Sequence, residues 1–558
     1  METLLIWLGG TPARYGTLAA LCGLALLWGA WDTRRAPRWA FLLLLGLAVL
    51  AGRWPIAAHN IEVGVDDSQA IAAAMRLSAH PIPWKYVDLN TVGPLNACPL
   101  VVLSWLGCPI NFTMSHLVGL VMAWLALSGA YLVLRERGDE RVARCGILPA
   151  TVFFALTTFF DFAYTTSEHV PMALIGIGSA LLWQGAHRGV WWRVFLGCAA
   201  LGATPWAKLQ TVPLALWFCL AGCAVMLWRW RADRPRLKRL VLAWLGGGVA
   251  VSLLFGAVIL IWGLSRQWYL AYIQQAFNYS GMGSLSFMQF WAGVAEMSRH
   301  SPEIRSFAVP LLILGTMLAG AAVFVTPRQV PTLVLVAGAA AVAAYVIAAP
   351  GRQFFHYLLL GVIPLGMLVA ALLDGLLQGA GGTRPRWFAP AVLVVFLAAT
   401  LLPQVHARTR RGHPAIPYKA GHIALRQSEP AKVLAAAARP GDTMTVWGWA
   451  PRLYVESGLP QATRDGMTER QIVDNPLREF YRSRYLFDLR RHRPRFFVET
   501  VGPEFFAYRD RAREGFEAWP ELKAYVETHY ELLAEIGSCR IYQARPEPEA
   551  PASAAPGG

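Results

Sequence analysis

The sequence predicts a polytopic α-helical membrane protein, with about 12 transmembrane helices and a small C-terminal extracytoplasmic α/β domain. Three observations predict it. Of 558 residues, 56% are hydrophobic and only 15% charged, with a mean hydropathy of +0.41; soluble domains run at about 45–50% apolar and about 25% charged. The apolar residues gather in runs of about 20, the length that crosses a bilayer core as a helix. These runs stop near residue 403, and charge density rises beyond it.

The runs cover 15–31, 38–54, 110–134, 145–162, 170–185, 193–204, 209–228, 240–263, 304–325, 330–349, 355–378 and 387–403, the run at 193–204 being short for a span. The first is followed by DTRRAPR rather than by a small-residue cleavage site, so it reads as a span and not as a signal peptide. Sidedness comes from Lys and Arg. One alternate set of loops (33–38, 135–144, 186–193, 229–239, 326–329, 383–386) holds 18 of them against 6 in the opposite set. The basic set is therefore expected in the cytoplasm. The net charge of +16 resides in these short loops, which argues for membrane lipids and against nucleic acid as the partner.

Five regions follow: 1–54, N-terminal spans; 55–109, a first extracytoplasmic loop; 110–403, the remaining membrane core; 404–545, an extracytoplasmic α/β domain; and 546–558, a Pro/Ala/Gly-rich tail expected to be disordered. In the fourth, VLAAAARPGDTMTVWGWAPRLYVESG reads as helix, turn, strand, helix. REFYRSRYLFDLRRHRPRFFVETVG reads as amphipathic helix then strand, and YELLAEIGSCRIYQARP as a hairpin. The first loop reads as two interfacial helices joined by a bent Gly-Pro link, a shape suited to roofing a cavity open to the outer leaflet. Of eight cysteines, five lie in or beside apolar runs as packing residues, Cys539 stands alone, and none has metal spacing; Cys98 and Cys108 flank one short helix and could bridge in an oxidising compartment.

Asp66 and Asp67 stand side by side before the helix-prone SQAIAAAMRLSAH. One Asp suffices to cap a helix; the second, at a membrane surface, is solvated, paired or functional. A carboxylate there can act as general base on an acceptor hydroxyl. Glu168 and His169 lie at the outer end of a span, where ionisable groups face a cavity or a partner rather than lipid; without a second ligand pair nearby they make a weak metal site. Lys208, Arg352 and His356 stand on the side where basic residues are scarce. They either snorkel to headgroups or bind an anionic group such as phosphate. Cations for a phosphate and a carboxylate for proton removal together suggest group transfer from a phospholipid-like donor.

These motifs resemble the GT-C superfamily of membrane glycosyltransferases, in particular the bacterial relatives of the protein O-mannosyltransferases and the lipid A aminoarabinose transferases. VDDSQAIAAAMRLSAHPIP looks like the family's first-loop pattern; SEHVPMAL, AKLQTVPLAL and GRQFFHYLLLGVIPLGML look like later patterns at matching topological places, and VWGWAPRLYVESG resembles the domain that follows the core. The resemblance covers about 55–403. It implies a polyprenyl-phosphate sugar donor, inversion at the anomeric carbon, a first-loop acidic residue as base (Asp66, with Asp67 beside it), and Lys208, Arg352 and His356 on the donor phosphate, with Glu168, His169 and Lys85 as further substrate contacts. The acceptor would be a lipid, glycan or protein on the periplasmic face of a bacterial inner membrane. No nucleotide cofactor is required, because a lipid phosphate can be neutralised by basic side chains; room remains for a divalent metal. Where related members carry a Lys-Pro pair this chain has Gly93-Pro94. Two other classes share the spans and basic groups: a flippase for lipid-linked sugars, which would show internal repeats not seen here, and a polysaccharide polymerase or ligase, which would use a diphosphate-linked oligosaccharide.

Overall fold

The computed structural model describes residues 17, 20–25, 37–136, 138–157, 160–301, 304–305, 329–379, 391, 394 and 424–546. The chain divides into two compact units, one formed by 1–67 with 90–424 and the other by 68–89 with 425–558. Expected spans 15–31, 304–325 and 387–403, and the tail, lie largely outside the described residues.

The first unit is helical. It contains α1 (Arg38–Ala57), the first turn of α2 (Val65–Ala79), α3 (Cys98–Trp105), α4 (Phe112–Arg135), α5 (Glu140–Gly146), α6 (Leu148–Leu156) and α7 (Phe160–Ala163). These are followed by α8 (His169–Arg188), α9 (Trp191–Gly202), α10 (Val212–Arg229), α11 (Arg234–Ile261), α12 (Gln275–Gly281), α13 (Phe287–His300), α14 (Val330–Ala348) and α15 (Leu359–Gly379). Among the described residues, 5 helical segments are long and apolar enough to cross a membrane: Phe112–Arg135, Leu209–Arg229, Arg234–Ile261, Val330–Ala348 and Phe355–Gly375. The stretch 145–162 differs from the single span expected of it. Pro149 sits in the first turn of α6, and Thr157 leaves helical backbone at φ −57°, ψ 136°. A proline has no N–H to continue an earlier helix, so the run is divided among α5, α6 and α7.

Small residues set the closest helix approach. α8 lies along α4, where a Cβ on Gly129 would collide with the backbone of Gly176 and one on Gly176 with that of Ala126. Side chains this small let two helix backbones meet inside an apolar medium. α8 also packs on α9 and α10, and α15 on α14 and α5, enclosing a continuous apolar core that includes Phe41, Tyr131, Phe154, Leu214 and Leu358.

In the second unit, α16 (Glu429–Ala437), β1 (Met444–Gly448), α17 (Arg478–His492), β2 (Phe496–Thr500), β3 (Tyr530–Ile536) and β4 (Cys539–Ala544) occupy the segments whose spacing read as helix, strand, amphipathic helix, strand and hairpin. The sheet order is β1-β2-β4-β3, with β1 and β2 parallel and the other pairs antiparallel; Val498 is in register with Val446 and Ile541. Alternation of side chains along a strand sends Phe496 and Val498 to one face and Phe497 to the other, and both faces are covered. The remainder of α2, from Ser68, belongs here: Ala72 is fully buried in the core with Met444, Val446 and Tyr454.

Cys98 and Cys108 are free thiols. Cys98 is the first residue of α3, and Cys108 follows its end, with its N–H donating back to Leu103 O at 3.0 Å.

Candidate active site

The two adjacent carboxylates part company. Successive helix residues point about 100° apart, and Asp66 and Asp67 occupy the first turn of α2. Asp67 is fully buried; its Oδ1 accepts from Ser115 Oγ at 2.6 Å, and its Oδ2 pairs with His116 Nε2 at 2.8 Å. Both partners lie in the first turns of α4, which Asn111 caps by accepting from Met114 N–H at 2.9 Å. Asp67 is thus a fastening between α2 and α4. Asp66 is half-buried, and no hydrogen bond or ion pair reaches its carboxylate among the described residues. Burial pushes the Asp66 carboxyl above the usual range; His356 and Lys208 draw it down, while Glu168 and Asp161 push it up.

Lys208 sits between the end of α9 and the start of α10, buried to 6% exposure. Its Nζ donates to Ser167 Oγ at 2.8 Å and forms an ion pair with Glu168, itself fully buried. It also stands 4.7 Å from the centre of the Tyr357 ring, a cation–π distance. Burial alone would raise the Glu168 carboxyl, but the Lys208 ammonium and then His356 override it and hold it at about 2.

The turn before Lys208, Thr204–Trp206, is braced by the bent link of the first loop. Gly93 N–H donates to Ala207 O at 2.8 Å, Asn96 Nδ2 to the same oxygen at 2.6 Å, and Tyr272 O–H to Pro205 O at 2.5 Å. A Cβ on Gly93 would run into the carbonyl of Trp206 and stand 2.8 Å from the Tyr272 hydroxyl. At position 93, before Pro94, the packing therefore leaves no room for a side chain.

Arg352 is half-buried and stacks its guanidinium 4.1 Å from the Tyr279 ring centre on α12. Tyr279 and Tyr357 bring their hydroxyls to 3.3 Å. His356 is buried, with Nδ1 at 3.9 Å from Asp161 Oδ1 of α7, an ion-pair distance too long for a hydrogen bond.

Of the residues singled out by sequence, Asp66, Glu168, Lys208 and His356 act on one another electrostatically, and Arg352 adjoins them through Tyr279 and Tyr357. His169 is buried beside Glu168, with its Nδ1 3.1 Å from both N and Oγ1 of Thr166 in its own turn. Lys85 belongs to the second unit, with its ammonium 5.3 Å from the Tyr86 ring centre. Sequence reasoning passed over Asp161, Ser115, His116 and Tyr279. Asp161 carried a signal, an acidic residue inside an apolar run; the others look like ordinary helix-end residues. Among the described residues, no group of three or more His, Cys, Asp or Glu is arranged to hold a metal ion.

No family model matches the chain, and no curated protein matches its sequence. Solved structures do. ArnT from Cupriavidus metallidurans, determined with undecaprenyl phosphate bound, superposes with a TM-score of 0.54 at 15% identity, covering 91% of this chain and 98% of that one. An oligosaccharyltransferase from Archaeoglobus fulgidus gives a TM-score of 0.44 at 12% identity, covering 84% of this chain and 70% of that one. Both are GT-C glycosyltransferases. The first superposition, over nearly the whole of both chains, shows that this chain has the GT-C fold of membrane glycosyltransferases.

Proposed function

We propose that the protein is a glycosyltransferase that moves a sugar from a polyprenyl-phosphate donor to a lipid, glycan or protein acceptor on the periplasmic face of a bacterial inner membrane, inverting the anomeric carbon, with Asp66 as general base. The observation that carries the proposal is the contrast within the acidic pair: Asp67 is locked by Ser115 and His116, whereas no hydrogen bond or ion pair among the described residues reaches the half-buried Asp66 carboxylate, which feels the charges of Lys208 and His356. The fold supports it, since ArnT with the same fold binds undecaprenyl phosphate.

The Asp66 carboxylate removes the proton of the acceptor O–H or N–H. The acceptor atom attacks the anomeric carbon from the face opposite the phosphate, the C–O bond to the phosphate breaks, and polyprenyl phosphate departs with the bonding pair. Arg352 and Lys208 supply positive charge to the departing phosphate. Arg352 is the better placed for a direct contact, because its guanidinium faces Tyr279 rather than a carboxylate, while Lys208 is shared with Glu168. The lipid monophosphate carries less charge than a nucleotide diphosphate, so these side chains serve in place of a divalent metal, and turnover is expected to survive EDTA.

The test is donor consumption by purified protein in lipid, with a panel of labelled polyprenyl-phosphate sugars and an envelope extract as acceptor source. Asp66→Asn should lower turnover by about 10²–10⁴, the usual contribution of a positioned base, while still binding donor. Asp67→Asn should lose about 1–3 kcal/mol of stability through its stranded buried partners, yet consume donor when folded. Equal activity of Asp66→Asn and wild type removes Asp66 from the chemistry. Transport of the lipid-linked sugar without its cleavage would make the protein a flippase.

A further inference from the structure

Within the first unit, two tyrosines of the loop between α11 and α13 reach both cations of the site. The stretch Tyr269–Gln274 is π-helical and runs without a break into α12. Backbone of this kind is rare and occurs mostly at functional sites. Tyr272, buried to 1% exposure, donates its O–H to Pro205 O at 2.5 Å, three residues before Lys208. Tyr279, seven residues further on, places its ring 4.1 Å from the Arg352 guanidinium. Its hydroxyl lies 3.3 Å from that of Tyr357, whose ring centre lies 4.7 Å from Lys208 Nζ. The order across the site is Arg352, Tyr279, Tyr357, Lys208: two cations, each over one ring, with the rings meeting at their hydroxyls.

The turn that bears Arg352 is pinned to the same loop. Leu285 N–H donates to Gly351 O at 3.1 Å, and Gly351 turns the chain at φ 61°. A Cβ on Gly283 would strike the carbonyl of Pro350. Arg352 Nε is buried without a hydrogen-bond partner, and no ion pair engages the guanidinium among the described residues. The kind of partner matters here. A carboxylate would hold a guanidinium by consuming its N–H donors, which lie in the guanidinium plane. A ring holds it by the face and leaves those donors for an anion.

We infer that the segment 269–285 is a positioning device for the two cations. Tyr279 holds the Arg352 guanidinium over its ring, the hydroxyl contact with Tyr357 sets its spacing from Lys208, and Tyr272 braces the turn before Lys208. The tyrosines act through the cations rather than on substrate. The consequence for gripping a donor phosphate rests on the glycosyl-transfer reading above; the mechanical claim about Arg352 does not.

The test uses the full-length protein in phosphatidylcholine nanodiscs and has two readouts. One is the rate at which phenylglyoxal, a guanidinium reagent, labels Arg352, followed by peptide mass spectrometry. The other is the affinity for undecaprenyl phosphate. Tyr279→Leu should speed labelling of Arg352 and weaken undecaprenyl phosphate binding, each by about tenfold, the scale of a lost cation–π contact in a partly desolvated site. Tyr279→Phe keeps the ring and loses only the hydroxyl, so it should label slowly, as wild type does, and bind the lipid more tightly than Tyr279→Leu. The inference is overturned if Tyr279→Leu keeps wild-type labelling, or if Tyr279→Phe labels as fast as Tyr279→Leu. Should Tyr279→Leu not fold, Gly283→Ala displaces the Pro350 carbonyl without touching either ring and should speed Arg352 labelling in the same way; unchanged labelling there overturns the inference as well. A wild type that binds no undecaprenyl phosphate sinks the glycosyltransferase reading alone, and the labelling of Arg352 still decides this one.

Discussion

Lys208 and Glu168 form a buried pair inside the proposed phosphate site, so a single substitution confounds two effects. Lys208→Met leaves an uncompensated buried carboxylate, and the expected loss is about 3–5 kcal/mol. Lys208→Met with Glu168→Gln removes both charges and should recover most of that stability, while the donor KM stays high if Lys208 serves the phosphate. Thermal melting against donor KM separates the two; full recovery of KM would take Lys208 out of the phosphate site. The pair also has a defined pH signature. Glu168 is held at about 2 in the folded protein, below an unfolded value of about 4.3. Its stabilisation is complete above the unfolded value and is lost as pH falls through about 2. Asp66 runs the other way: its carboxyl lies above the usual range, and a base works only when ionised. The acid limb of the rate should therefore fall above the ordinary aspartate value of about 3.9; an acid limb at or below that value would argue against Asp66 as base. At this scale the sequence singled out Glu168, Lys208, Arg352 and His356 by their places beside apolar runs and Asp66 by its acidic neighbour; the structure brings Asp66, Glu168, Lys208 and His356 within electrostatic reach of one another. The sequence could not tell Asp66 from Asp67, because what distinguishes them is Ser115 and His116, brought across 48 and 49 residues by the packing of α4.

Among the elements, the bent link of the first loop and the Thr204–Trp206 turn form one mechanical part. Gly93 and Asn96 hold the carbonyl of Ala207, one residue before Lys208. Gly93→Ala should cost about 1–3 kcal/mol, as expected of overpacking, and raise donor KM by displacing Lys208. Gly93→Lys should do the same more strongly rather than install a new basic contact. A Gly93→Lys variant with wild-type stability and a lower KM would show that the space is available after all. Helix content was largely legible, because apolar runs and capping signals are local. The irregular parts were not. The division of 145–162 into three helices follows from Pro149 and the backbone at Thr157, and a hydropathy window averages over both. The short 3-10 turns flanking Lys208 lack any periodic pattern, yet they set where Lys208 sits.

For the whole molecule, the boundary that composition suggested near residue 404 covers only part of the division, since 68–89 joins the C-terminal unit. Nothing local announces this: Ala72 is an unremarkable helix residue, and Asp88 is one carboxylate in a polar loop until Arg484, 396 positions away, meets it. Charge patterning, by contrast, is global and readable. Loop 229–239 alone carries six Lys or Arg, as many as the entire opposite set, and the basic and sparse loops alternate without a reversal. If orientation follows this bias, the residues after 403 lie on the periplasmic side with the acidic pair, where a lipid-linked sugar on the outer leaflet would meet them. Alkaline phosphatase, which matures only outside the cytoplasm, should be active when fused after residue 546 and inactive when inserted at 229–239; green fluorescent protein should give the inverse pattern. The opposite result at both positions would put the acidic pair on the cytoplasmic face, and the donor would then have to be used on the inner leaflet.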